Sequence, residues 1–228
     1  MITHVYRQVA IIHPISFYFL LLTCVISLAL ISTAFLGWKL WQVGLIIVVA
    51  WFPLVFSILR SVYRRSGWLS LFFVLVVTQS VHLIEHAAQM VQIHLLGLHG
   101  PQASGIFGML NTEWVHFLWN SWVLILSTFL MFFFRKNVWL WMLFIFAIWH
   151  EIEHIYIMSV YLRTHIEGTP GLISRGGAIG GGLPLIRPDV HFLYAVLEET
   201  LLLLAYYHEI KAIQLDNENI SIASRTSA

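Results

Sequence analysis

Charge is what this chain has least of. Among 228 residues, 12 are Lys or Arg and 11 are Asp or Glu, against 12 histidines. So few charges cannot coat a domain that folds in water, and 59% hydrophobic residues with a mean hydropathy of +0.83 place the chain among integral membrane proteins. A formal net charge of +1 excludes electrostatic binding of nucleic acid. Cysteine is nearly absent too: Cys24 stands alone in an apolar run, which excludes an intrachain disulfide and any CxxC metal or redox site. No long hydrophilic segment is present to house a separate catalytic domain, so the chemistry belongs in or beside the bilayer. The apolar stretch after His13-Pro14 is too long for a cleavable signal and reads as a retained first span.

What is there is a series of apolar runs. A helix needs roughly 20 apolar residues to cross about 30 Å of hydrocarbon, and the sequence predicts an all-α bundle with six spans, at about 15–38, 42–59, 68–98, 112–134, 138–162 and 189–207. Residues 1–210 read as one transmembrane domain and 211–228 as a polar, mobile tail. The segment 168–188 is rich in Gly and Pro and reads as a loop or a partly re-entrant lid. Arg7, Arg60, Arg64, Arg65, Arg135, Lys136, Lys211 and Arg225 fall on one side of this arrangement, and Lys39, Arg163, Arg175 and Arg187 on the other. The positive-inside rule then makes both termini cytoplasmic and turns the loops around Gly100 and Gly176 to the extracytoplasmic side.

The histidines are patterned. The third span carries His82-x-x-Glu85-His86 and the fifth His150-Glu151-Ile152-Glu153-His154, so H-x-x-E-H occurs twice, with i, i+3 and i+4 on one helix face. The fourth span opens with Glu113-x-x-His116; the sixth carries His191, with Glu198 seven residues later and Glu199 beside it. At about 1.5 Å per residue, the six histidines and Glu198 lie between about 17 and 27 Å above the inner boundary, one slab in the outer half of the membrane. Acids there are costly, about 2.5–3.5 kcal/mol each at a span centre. Bound divalent cations, or protonated carboxyls bonded to histidine, would offset that cost. His94, His99 and His165 sit near the water boundary and read as ordinary solvated histidines.

Six histidines (His82, His86, His116, His150, His154, His191) and four carboxylates (Glu85, Glu113, Glu153, Glu198) exceed what one tetrahedral zinc takes and suit two divalent metal ions. The mixture of His and Glu on facing helices follows the logic of di-iron carboxylate bundles. Iron is the first choice, with copper and zinc as alternatives. Glu151 and Glu199, one residue off the ligand stripe, are expected to carry protons. The expectation is a multi-pass, membrane-embedded dinuclear oxidoreductase of the oxidase, hydroxylase or desaturase type. It would act on a lipophilic small molecule or lipid entering from the bilayer or through the outer loops, with a membrane or soluble electron donor. A zinc-dependent intramembrane lipid hydrolase, a metal or proton transporter and a haem-binding electron carrier are the competing readings. The apolar cytoplasmic halves of the spans, such as Leu130-Met131-Phe132-Phe133-Phe134, argue against transport.

Overall fold

The computed structural model describes residues 14–33, 36–108 and 112–226. They are helical: α1 (Pro14–Thr33), α2 (Leu40–Arg65), α3 (Gly67–Met90), α4 (Glu113–Phe133), α5 (Val138–Thr164) and α6 (Arg187–Thr226), with no strand among the described residues. Five of these helices are long and apolar enough to cross a membrane; the described apolar part of α1, Phe17–Thr33, is shorter than a full crossing. Helix α6 continues through 211–226, the segment expected as a polar tail.

The helix ends follow local chemistry. Thr112 caps α4 by accepting from the Val115 amide at 3.4 Å, and Asn137 caps α5 by accepting from Leu140 at 3.1 Å. Helix α5 stops at His165, which takes a left-handed conformation (φ 55°) and closes the last turn onto Tyr161. Helix α6 starts with Arg187-Pro188-Asp189, where Pro lacks an amide hydrogen that would have no partner anyway and Asp meets the positive end of the helix dipole. Helix α3 ends in one π turn, Val91–Leu95. The Gly-rich segment 165–186 carries no helix and folds on itself through turns and a single bridge between Gly177 and Gly181.

The chain divides into two compact units: residues up to Phe73 with those from Tyr206, and Val74–Ala205. In the first, α1 packs on α2, and Trp51 donates its indole N–H to Ser27 Oγ at 2.9 Å. The second contains every candidate site residue. Its base is apolar and closed: Leu75, Leu130, Leu140, Leu143 and Leu202 are all fully buried. Above that base the interior turns polar, with Gln79, His82, Asn120, His150 and Glu198 buried, while Leu118, Ile125, Ile145, Ile152 and Ile155 face outward. Polar groups inside and large apolar groups outside is the reverse of a water-soluble domain and suits a lipid surround. Several long apolar helices with this distribution make the chain a multi-pass membrane protein in type.

Asn137 ties two helices, since its side-chain amide also donates to the Ala205 carbonyl at 2.8 Å. Replacing it with alanine removes a helix cap and the hydrogen bond between α5 and α6, for an expected loss of about 1–3 kcal/mol. Thermal unfolding of Asn137→Ala in detergent should show a lowered midpoint.

Candidate metal centre

Six buried histidines from four helices converge in the second unit: His82 and His86 on α3, His116 on α4, His150 and His154 on α5, and His191 on α6. Within the first three, ring centroids are 4.5 Å (His82 to His86), 5.8 Å (His82 to His116) and 5.4 Å (His86 to His116) apart. Within the other three they are 4.9 Å (His150 to His154), 5.0 Å (His154 to His191) and 5.8 Å (His150 to His191) apart. The two sets touch, with His116 stacked on His154 at 5.9 Å and His86 on His191 at 6.2 Å.

The nitrogens point inward. His82 Nε2 faces His86 Nε2 at 3.2 Å, and His150 Nε2 faces His154 Nε2 at 3.2 Å. Two nitrogens bound to one tetrahedral ion at about 2.0–2.1 Å lie about 3.3 Å apart; an N–H···N hydrogen bond also fits this spacing. The opposite ring nitrogens decide the tautomer in three cases. His116 Nδ1 lies 3.0 Å from the Thr112 carbonyl and His191 Nδ1 lies 3.0 Å from that of Arg187. A carbonyl only accepts, so Nδ1 carries the hydrogen and Nε2 keeps its lone pair. His150 Nδ1 donates to Glu198 Oε1 at 2.8 Å; Gln79 Nε2 donates to Glu198 Oε2 at 2.8 Å, and Trp119 holds Gln79 Oε1 at 3.2 Å. Glu198 thus orients a ring that it does not share a centre with, the usual place of a carboxylate behind a metal-bound imidazole.

His150, His154 and His191 each offer one nitrogen within 4.8 Å of the others, and this buried group could hold a metal ion. His191 Nε2 and His154 Nδ1 are buried without a hydrogen-bond partner, a cost of about 1–3 kcal/mol apiece; a cation bound among the inward-facing nitrogens would remove the first. Beside His82, His86 and His116 lies a void of about 20 Å³ bounded also by Glu85 and Trp119, room for one water-sized particle.

The expected acids have other partners. Glu85 accepts from the Ile106 and Phe107 amides at 2.9 and 3.0 Å. Glu153 accepts from the Leu172 amide at 3.3 Å. Glu113 is gripped by both guanidinium nitrogens of Arg187, at 2.6 and 2.5 Å, and by the Gly168 amide at 3.0 Å. Glu151 accepts from Ser121 at 2.8 Å and Glu199 from Ser80 at 2.7 Å, and each leaves Oε2 buried without a partner. Of the histidines expected to be ordinary, His94 pairs with Asp189 at 2.7 Å.

These contacts expose a plan used twice. Each H-x-x-E-H helix supplies an i, i+4 histidine pair; its glutamate holds the loop that follows; the next helix returns a third histidine whose Nδ1 is tied to the carbonyl four residues back. In both loops the glutamate meets the chain just after a glycine with φ +81°, Gly105 or Gly171. The role of these glycines, of Arg187 and of Gln79 was not read from the sequence. The available signal was a glycine in each loop 20 and 18 residues after its glutamate, at Gly105 and Gly171.

A Cβ on Gly171 would meet Glu153 Oε1 at 2.5 Å, whereas one on Gly168, also at φ +81°, would meet nothing within 4 Å. Both alanine variants carry the left-handed backbone cost of about 1–2 kcal/mol; Gly171→Ala should lower the unfolding midpoint clearly further than Gly168→Ala. Equal shifts would show that the Glu153 contact does not hold the loop. Comparison with family models, curated proteins and solved structures gives no match for this chain, so its chemistry is read from its own geometry.

Proposed function

We propose that the chain is a six-span membrane metalloenzyme, both termini cytoplasmic, whose six histidines hold two metal ions as neighbouring three-histidine centres in the outer half of the bilayer. The observation that carries this reading is the orientation of the rings: Nδ1 of His116, His150 and His191 is occupied by carbonyl or carboxylate, so Nε2 turns into a shared interior. Three protein ligands per ion leave an open coordination position on each, the arrangement of a reactive rather than a purely structural centre.

The donor set bears on the metal. Glu85 and Glu113 have both oxygens engaged by loop amides or Arg187, so the donors left free to coordinate are the imidazoles and the one unpartnered oxygen of Glu153, Oε2. A donor set this rich in imidazole favours copper over the iron that an evenly mixed His and Glu set would suggest, with zinc as the redox-inert competitor. Bound there, a copper pair would supply two-electron exchange with dioxygen; the protein's part is to hold the ligands, exclude water from below and move protons. Glu151 and Glu199, each with one unpartnered oxygen and a serine on the other, are placed for proton transfer.

Two features weigh against the alternatives. Metal-assisted hydrolysis wants a free carboxylate base at the open position, and of the three glutamates flanking the centre Glu85 and Glu113 have both oxygens bound to amides or arginine, which leaves Oε2 of Glu153 alone. Transport wants a polar path to both sides, and the base of the unit is sealed by Leu75, Leu130, Leu143 and Leu202. The reading is therefore an oxygen-activating oxidoreductase.

Elemental analysis of protein purified without chelators should find about two metal ions per chain, falling to about one in His82→Ala/His86→Ala and likewise in His150→Ala/His154→Ala. Metal well below one per chain in the parent protein would remove the reading. Copper with substrate-dependent oxygen uptake supports the oxidoreductase; zinc with oxygen-independent cleavage of lipid esters or amides would install the hydrolase.

A further inference from the structure

The metal centre has walls of unequal character. Below it is the leucine base already described. Toward the outer faces of the helices aromatic rings close it: Trp119 stacks on His82 at 5.2 Å, and Tyr194 lies edge-on to His150 at 4.7 Å, pinned by Trp149 through a 2.9 Å hydrogen bond. On the loop side there is space. A cavity of about 700 Å³ has His86, His116 and His191 in its floor, so it reaches ligands of both three-histidine sets. Its walls include Gln89, Thr112 and the Glu113 and Arg187 pair, and its mouth is formed by exposed residues of the loops, among them His99, Gly100, Glu167 and Gly168.

We infer that the substrate is a hydrophilic, water-borne organic molecule that reaches the metal pair through this loop-side cavity, and not a lipid drawn from the bilayer. The inference rests on the metal reading above and names its substrate class. The volume lies within the range of about 300–1,000 Å³ that holds small organic ligands. A lipid chain would need an apolar slot open to the helix flanks, where Trp119 and Tyr194 stand. The cavity wall instead offers, between apolar patches at Ile93, Pro101 and Ile186, an amide, hydroxyls and a guanidinium that is already neutralised by Glu113. Such a wall recognises hydrogen-bonding groups without demanding a net charge. Of the two entrances the sequence left open, the bilayer and the outer loops, the walls favour the loops.

The test uses cobalt(II)-substituted full-length protein in lipid nanodiscs, whose visible bands report ligand exchange whatever the native metal. Azide, which stays in water, and 1-octylimidazole, which partitions into lipid, are the probes. Ile93 and Ile186 line the cavity, whereas Ile152 faces outward on α5. Ile93→Trp and Ile186→Trp should each slow azide binding by about tenfold or more at unchanged cobalt content, Ile152→Trp should leave it unchanged, and 1-octylimidazole should leave the parent bands unaltered. Azide binding at the parent rate in both cavity variants overturns the route, as does a band shift with 1-octylimidazole. Failure of the parent protein to take up cobalt removes the metal reading, and this inference with it.

Discussion

The constraint on which the rest depends is that every imidazole buried among these helices has one N–H to place and one lone pair to satisfy, in a largely apolar surround where an unmet polar group is costly. The structure answers the first demand locally. His116 and His191 return their Nδ1 hydrogens to the carbonyl one turn back, and His150 gives its own to Glu198. With these three Nδ1 atoms committed, their Nε2 atoms keep lone pairs that point inward; His150 Nε2 faces His154 Nε2, and His191 Nε2 has no partner. A cluster of neutral imidazoles whose lone pairs converge is repulsive unless something electrophilic lies between them. The metal proposal follows from this imbalance more directly than from the number of histidines.

The same arrangement arises twice from one construction. Helix, loop and returning helix, from α3 to α4 and from α5 to α6, each place two histidines on a face and bring a third from the start of the next helix. The loop must return at the right height, and the glutamate between the paired histidines sets that height by holding the amide that follows a left-handed glycine. An amide anchored to a carboxylate is a charge-assisted bond, stronger than its neutral counterpart. The acid holds the loop, through both oxygens at Glu85 and through one at Glu153, and the loop positions the third histidine.

Much of this was legible in the sequence and part was not, for identifiable reasons. The helices α2 to α6 lie where the apolar runs put them, because length and hydropathy suffice to mark them. The common height of the six histidines was accessible too, since rise per residue converts sequence position into depth. The partners of the acids were hidden. Glu85 and Glu153 bond to backbone amides, which every residue carries and composition cannot single out, and Glu113 finds Arg187 across 74 positions of sequence. Nor does periodicity separate a glutamate facing a metal from one at the same face reaching up to a loop, because i+3 and i+4 share the face but not the height.

Placing the acids one step away from the metals also bears on charge. Two divalent ions bound only by neutral imidazoles would put four positive charges in a region of low dielectric, a cost that bare histidine ligation does nothing to relieve. Glu198, with both oxygens accepting hydrogen bonds, and Glu85, with both oxygens on amides, are placed to oppose that charge without occupying coordination positions. Carboxylates as direct ligands would neutralise such ions more completely but would fill the positions that the proposed chemistry needs open. Held at one remove, they would lower the cost of bound cations and leave each proposed ion open. Monovalent copper in the reduced state halves the charge to be compensated, which joins the imidazole donor set in favouring a copper pair over iron.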